Sequence, residues 1–284
     1  MIVITGGNTG LGYHAAEEFA RRGAASVILA CRNLSRGNEA ATKIMQTTGT
    51  SNVQVVQLDL ASIENIQKFA ADIKERISQI DCLVCNAGVW YPMDMQAKTE
   101  DGFEANVGVN HLGHFLLTNL LLGQVKRVVI VSSGLMMSGK VDIEDSRQFI
   151  DGRKVQEGER VPKHAPIGYC DSKLMNAIFA RDLAQKHLEI PVVCVGPGWC
   201  KTELARNVPF PWYKKVLLAP IAFLFMRSSK EGAQNIMHAV LEDTENLRVH
   251  ILINPMISLT KIHLFAERIF LSGFPTCSKR KHQS

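Results

Sequence analysis

The step from Tyr169 to Lys173 carries the most chemistry in this chain. It lies in Tyr169-Cys170-Asp171-Ser172-Lys173, at the opening of a stretch with helical patterning. Residues four apart share one face of a helix, so the phenol and the ammonium become neighbours. A free tyrosine titrates near pH ~10, too high for proton traffic at neutrality. A nearby ammonium favours the phenolate and is expected to bring that value down toward the working range. Such a pair suits proton transfer to or from an alcohol–carbonyl couple. Asp171, between the two, is expected to point off their shared face. Ser132 and Ser133 close the apolar run Val128–Val131. A serine at that edge can hydrogen-bond a carbonyl oxygen as negative charge grows on it. The residues alone leave the choice between the two serines open.

A glycine-rich turn near the start supplies a second piece of chemistry. Met1 to Gly12 reads Met-Ile-Val-Ile-Thr-Gly-Gly-Asn-Thr-Gly-Leu-Gly, and Tyr13 to Ala20 continues with helical patterning. Glycines allow positive φ and let a pyrophosphate approach the backbone. The N–H groups and dipole of the following helix then face its charge. The alternative is a purely structural turn in an unrelated α/β protein. The second apolar run ends Ala30-Cys31-Arg32-Asn33, with no carboxylate. In dinucleotide-binding sheets an acidic residue there takes the ribose hydroxyls of NAD, whereas an arginine meets the extra phosphate of NADP. Arg32 stands at the expected distance from the turn, so NADP(H) is the expected cofactor. A solvated surface arginine is the other reading.

Apolar runs must form the sheet that positions these groups. They recur at Val27–Ala30, Val53–Leu58, Asp81–Cys85, Arg127–Val131 and Pro191–Val195. Helical stretches lie between them at Ser35–Gln46, Ser62–Ser78, Glu104–Leu122 and Ile167–Leu188. Continuous rather than alternating apolar strands indicate a sheet covered on both faces, and strand–helix alternation indicates parallel pairing. The expected fold is a single α/β domain, a Rossmann-like doubly wound parallel sheet. The polar stretch Ser138–Ala165 is the longest loop, and loops of that length usually carry function or motion.

Composition excludes other classes. The 284 residues carry a net charge of +5, and no basic stripe interleaved with aromatics suggests nucleic acid. Seven scattered cysteines fit reduced thiols in a cytoplasmic or cytosol-facing setting. Cys82 and Cys85 fall on opposite faces of a strand, which argues against pairing. His111 and His114 have no ligand set around them and read as structural, so no metal is expected. The chain as given starts in its first strand, so no signal peptide is expected. No stretch reaches the ~20 apolar residues of a membrane span. Residues 208–226 are rich in apolar side chains, and two readings stay open there: a buried helix, or a patch in peripheral contact with a membrane surface.

Taken in order, these motifs resemble the short-chain dehydrogenase/reductase family. The shared features are Thr-Gly-x-x-x-Gly-x-Gly at Thr5–Gly12, Asn-Ala-Gly at Asn86–Gly88, Asn-His-Leu-Gly-His-Phe at Asn110–Phe115 and Ser133. Tyr-x-x-x-Lys at Tyr169–Lys173 and Pro-Gly-x-x-x-Thr at Pro197–Thr202 complete the set. Ala30–Asn33, Asn110–Thr118 and Glu231–Gln234 resemble the retinol dehydrogenase-like branch. The resemblance implies Tyr169 as general acid and base, Lys173 as its partner and ribose holder, and Ser133 as the group polarising the substrate oxygen. Asn110 is implied as anchor of a water linking Lys173 to solvent. The implied cofactor contacts are Thr5, Gly6, Asn8, Gly10, Leu11 and Gly12 in the turn, then Arg32, Asp59 and Leu60 beyond the second and third strands. Asn86, Ala87 and Gly88 add the cofactor wall, Tyr169 and Lys173 are implied as cofactor contacts too, and Pro197, Gly198 and Thr202 border the carboxamide.

The expected activity is therefore NADP(H)-dependent interconversion of a lipophilic alcohol, retinoid- or steroid-like, with its aldehyde or ketone. A dehydratase or epimerase of the related longer-chain family fits less well, because the chain is short for one. An NADP(H)-binding regulatory protein without turnover is the alternative, motivated by the short link and the divergent tail, two of three departures from the family. The link Leu122–Lys126 is short, a change placed where many relatives form a dimer. Ser138–Ala165 is long. The segment after Asn246 diverges, so the catalytic domain is read as 1–246 and 247–284 as a divergent segment with a disordered tail. Within it, 248–253 is the expected seventh strand.

Overall fold

Six short runs rich in Val, Ile, Leu and Cys become strands. They are β1 (Ile2–Thr5), β2 (Val27–Cys31), β3 (Val53–Gln57), β4 (Cys82–Cys85), β5 (Val128–Val131) and β6 (Val192–Val195). All pair in parallel, in the order β3-β2-β1-β4-β5-β6. The inner ones bury both of their faces, while the edge strand β3 keeps Gln54 and Gln57 exposed. The computed structural model describes residues 1–142, 144–155, 159, 165–200, 203–204 and 226–241. Thr202, residues 208–225, 248–253 and the whole of 247–284 lie outside the described residues, so the expectations made for them have no structural counterpart.

Helices cover both faces of the sheet. On one face lie α1 (Gly10–Arg21), α2 (Leu34–Thr48) and α8 (Ser229–Leu241), packing Phe19, Ile44 and Ile236 onto Ile2, Ile4 and Leu29. On the other lie α3 (Ile63–Arg76), α5 (Gly113–Leu121) and α7 (Ile167–Lys186), packing Phe69, Leu117 and Phe179 around Val3, Leu83 and Ile130. Cys82 belongs to the first core and Cys85 to the second, as the two-residue alternation of a strand requires. Side chains start two of the helices. Asn33 caps α2 by accepting from the Arg36 N–H at 3.0 Å, and Ser62 caps α3. Each satisfies an N–H that the helix itself leaves without a partner.

The stretch expected as one helix over Glu104–Leu122 is three pieces. A short turn, α4 (Ala105–Val107), runs into a wider π-helical turn (Gly108–Leu112) and then into α5. The 3₁₀ turn Leu122–Gln124 follows and leads directly toward β5, so the short link is spanned without a gap. A 3₁₀ turn (Gly134–Ser138) leads into the long polar loop, and among the loop's described residues a short helix, α6 (Gln148–Asp151), is formed. Strand order reverses between β1 and β4, the place where sheets of this kind open a crevice at their carboxyl edge. No helix among the described residues is long and apolar enough to cross a membrane.

Candidate active site

The crevice opens beyond the ends of β1, β4 and β5. The turn after β1 enters it with Gly6 at φ 66° and Gly10 at φ 58°, a region closed to most side chains. Gly12 sits underneath: a Cβ there would come within 2.5 Å of the Gly6 carbonyl oxygen and 2.6 Å of Asn86 Nδ2. Thr9, before α1, makes no side-chain cap, so the first N–H groups of the helix stay directed at the crevice. Beneath the turn lies the buried Cys31. Burial pushes its thiol up to about 11, while the N–H groups of Gly7 and Asn8 bond to the sulfur and pull the other way. A backbone cradle with room for no Cβ, facing a helix N-terminus, fits the pyrophosphate of a nicotinamide dinucleotide.

Thr5 ties the two sides of the crevice together. Its hydroxyl accepts from the N–H groups of Asn86 and Ala87, each at 2.9 Å, and meets His114 Nε2 at 2.8 Å. Asn86 returns the contact through Nδ2, donating to the Thr5 carbonyl at 2.9 Å. His114 Nδ1 lies 3.0 Å from the Asn110 carbonyl oxygen. A carbonyl can only accept, so Nδ1 carries the proton and Nε2 accepts from Thr5. Burial holds this imidazole down near 4. His111, whose Nδ1 lies 3.1 Å from Asn176 Oδ1, is held down to about 4 by burial as well. Both histidines are neutral packing elements of the site's floor.

At the far end of the crevice, Ser133, Tyr169 and Lys173 come together on its lining. Ser132 is spoken for: its hydroxyl donates to the Lys173 carbonyl at 2.7 Å. Ser133 caps the turn Gly134–Ser138 and bonds to the Tyr169 phenol. Of the two serines, Ser133 is the one that bonds to the phenol. Tyr169 departs from the sequence expectation. Its ring is 4 % exposed, and burial pushes the phenol up to about 12, only partly offset by Ser133. The ammonium does not reverse this. Lys173 Nζ lies 5.6 Å from the phenol ring centroid and donates to the Val131 carbonyl at 3.0 Å. Burial also pulls Lys173 itself down to about 8. Desolvation, which penalises both charged forms, outweighs the attraction expected from helix spacing alone.

Asn110 is wholly buried behind Gly88. Its side chain closes on Val89, accepting from the N–H at 2.7 Å and donating to the C=O at 3.0 Å, and also donates to Ser172 Oγ at 3.1 Å. Asn106, one turn earlier, treats Tyr91 identically: Oδ1 accepts from its N–H at 2.8 Å and Nδ2 donates to its C=O at 3.1 Å. Between these two clasped residues stands Trp90, its ring centroid 4.6 Å from that of Tyr169. Neither Asn106 nor Trp90 belongs to a motif named above. The i, i+4 repeat of asparagines in an otherwise apolar stretch is the one sequence signal that could have found the first.

Asp171 points away from Tyr169 and Lys173, as expected, and into a buried ionic cluster. It accepts from the Lys140 N–H at 2.7 Å and pairs with Arg153 Nε at 3.2 Å; Arg153 Nη1 pairs with Glu159 at 2.8 Å. The long loop before the tyrosine is thereby tied to the helix that carries it. Burial pushes the Asp171 carboxyl up to about 6 against the pull of these partners.

The remaining expected contacts divide cleanly. Gly6, Asn8, Gly10 and Leu11 line the crevice at the turn, and Arg32, Asp59 and Leu60, which follow β2 and β3, line it as well. Asn86, Ala87 and Gly88 form the wall, and Pro197 and Gly198 face them. Thr5, Gly12 and Asn110 stand behind this surface and shape it. Arg32 is exposed, while Arg36, one turn on, pairs with Glu203 at 2.7 Å. Among the described residues no cluster of His, Cys, Asp or Glu is arranged for a metal.

A family model described as short chain dehydrogenase matches residues 1–142. Retinol dehydrogenase 11 of Homo sapiens is 37% identical over 256 residues, covering 88% of this chain and 74% of its own. Retinol dehydrogenase 12 of Mus musculus is 40% identical over 256 residues, covering 87% and 75%. Among solved structures, salutaridine reductase from Papaver somniferum superposes with a TM-score of 0.66 at 21% identity, covering 86% of this chain and 96% of its own. A short-chain dehydrogenase from Sphingobium yanoikuyae in complex with NADPH gives 0.65 at 17% identity, covering 100% and 97%. Those two likenesses speak to the fold. The family match and the relatives agree with the motifs and the crevice, and the chain belongs to the short-chain dehydrogenase family, in its retinol dehydrogenase-like branch.

Proposed function

We propose that the protein is an NADP(H)-dependent oxidoreductase interconverting a lipophilic alcohol, retinoid- or steroid-like, with its aldehyde or ketone. The observation that carries this reading is the meeting of Ser133, Tyr169 and Lys173 in one crevice with the glycine turn. When bound, the nicotinamide supplies or accepts the hydride. Ser133 donates to the substrate oxygen and steadies charge growing on it. Tyr169, protonated at neutrality because of its burial, stands ready as the proton donor, the form that carbonyl reduction requires. Lys173 holds the ribose and compensates the phenolate left behind. Asn110 anchors the water that returns a proton from solvent. The lipophilic substrate class rests on the relatives' names and on the apolar Val89, Val109 and Leu204 that line the same crevice. A substrate of that class partitions into membranes, which fits peripheral contact through residues 208–226 at a cytosol-facing surface.

The test is turnover of NADPH with retinals, steroid ketones and simple carbonyls. Oxidation is expected with the lipophilic members; none across the panel overturns the reading.

NADP(H) preference is proposed for Arg32, whose side chain would meet the adenosine phosphate. Charge-assisted hydrogen bonds of this kind are worth about 1.5–3 kcal/mol. Arg32→Asp is therefore expected to shift the ratio of kcat/KM for NADPH over NADH about 10- to 100-fold toward NADH. An unchanged ratio removes Arg32 from the cofactor site.

A further inference from the structure

Trp90 lies against the reacting phenol, and the chain around it is fastened with unusual care. Asn110 takes both backbone groups of Val89 and Asn106 takes both backbone groups of Tyr91. The match is geometric. Four helical residues advance about 6 Å, and two residues of extended chain advance about 6.6 Å. Two asparagines one turn apart can therefore serve as a strand partner for residues 89 and 91, leaving the side chain of residue 90 on the opposite side. Asn106 is itself locked, because Nδ2 also donates to Glu104 Oε1 at 2.6 Å. The other oxygen of Glu104 accepts from the Val107 N–H at 2.7 Å.

Glu104 also reaches the helix turn that carries the other ring. A Cβ at Gly168 would lie 2.8 Å from Glu104 Oε2, so the carboxylate rests on the first turn of α7, beside Tyr169. One pair, the half-buried Glu104 and the buried Asn106, thus grips the segment carrying Trp90 and abuts the helix turn carrying Tyr169. The indole and the phenol are held to each other from a common point.

We propose that Trp90 is a positioning residue for Tyr169: it fixes the phenol ring and keeps water from it, and Asn106 acts through the Tyr91 backbone to hold Trp90 in place. The inference rests on the oxidoreductase reading and adds to it a residue outside the family motifs.

Removal of the indole admits water beside the phenol, and a better-solvated phenol ionises more easily. In Trp90→Ala, kcat for carbonyl reduction is expected to fall about 10- to 100-fold, since small misplacements of a reacting group have effects of that order. KM for NADPH is expected to stay within a factor of about two, because a better- or worse-placed phenol changes the transition state and not cofactor binding. Reduction needs the protonated phenol, so the alkaline fall of the pH profile moves to lower pH. Trp90→Phe, which keeps a ring, restores most of both. Asn106→Leu changes them in the same direction as Trp90→Ala.

A second readout is independent of turnover. The ultraviolet difference between each protein and its Tyr169→Phe counterpart follows ionisation of that one phenol, and it is expected at lower pH without the indole. Trp90→Leu, which keeps bulk, carries both measurements if the alanine variant does not fold. A wild type that turns over no substrate counts against the oxidoreductase reading and leaves the ionisation curves to decide the inference. Unshifted ionisation curves, or an unchanged kcat and pH profile in an active enzyme, overturn it.

Discussion

Tyr169→Phe is expected to lower kcat by about 10²- to 10⁴-fold, the range that a positioned general acid contributes. The substitution removes one oxygen from a ring that is 4 % exposed and leaves its packing against Trp90 in place. Stability and NADPH binding are therefore expected to stay close to wild type. The loss should appear equally in kcat and kcat/KM, the signature of a contact made in the transition state alone. Thermal unfolding, NADPH titration and steady-state reduction of a lipophilic aldehyde check the three parts. A variant within tenfold of wild-type kcat shows that another group supplies the proton.

Arg153→Met is expected to be the most damaging substitution outside the crevice. Arg153 is the shared cation for Asp171 and Glu159, whose side chains are 3% and 5% exposed. Deleting the shared cation takes the ionic partner from Asp171, which keeps the Lys140 N–H, while Glu159 keeps Lys140 Nζ at 3.5 Å; breaking a buried pair in this way costs about 3–5 kcal/mol. Asp171 softens the blow. Its carboxyl already stands at about 6, above its ordinary 3.8, and loss of the guanidinium pushes it higher still, so it takes up a proton. A carboxyl whose pKa is raised on folding binds protons better folded than unfolded. Its burdening of the fold is present above about 6 and is relieved as pH falls from there toward 3.8. The deficit of Arg153→Met is thus largest at neutrality and narrows on acidification. Asp171→Asn, which cannot ionise, lacks this dependence. Urea unfolding at neutral and mildly acidic pH measures both. Equal stability of Arg153→Met and wild type at neutrality means that the cluster is not buried in solution.

What the sequence makes legible here is mostly local. Unbroken apolar runs give the strands within a residue or two, and Cys82 and Cys85 divide between two cores because three steps along a strand change face. The glycine turn is legible because Gly12 admits no side chain beneath Gly6. Tyr169 and Lys173 are legible as types at fixed spacing, and Ser133 is singled out only by the family resemblance. The misses share a physical cause, in that each depends on groups remote in the chain. The helical periodicity of Glu104–Leu122 hides a π-helical turn. The ammonium four residues after Tyr169 invites a lowered phenol pKa, yet burial under Trp90 and the surrounding core sets the opposite direction. The partner of Asp171 is Arg153, far outside its own helix. Spacing reports which residues share a face, but it does not report how dry that face becomes.

His114 offers a way to watch the floor of the crevice directly. Its two nitrogens have fixed and opposite duties, one giving a proton to a main-chain oxygen and the other taking one from a threonine. An imidazole so constrained exists as a single tautomer. In a protein labelled with heavy nitrogen at histidine, its two ring resonances should stand far apart and stay still until the pH nears about 4, while those of surface histidines drift sooner. Collapse of that separation would mark the moment when the strands on either side of the cofactor cradle lose their grip on one another.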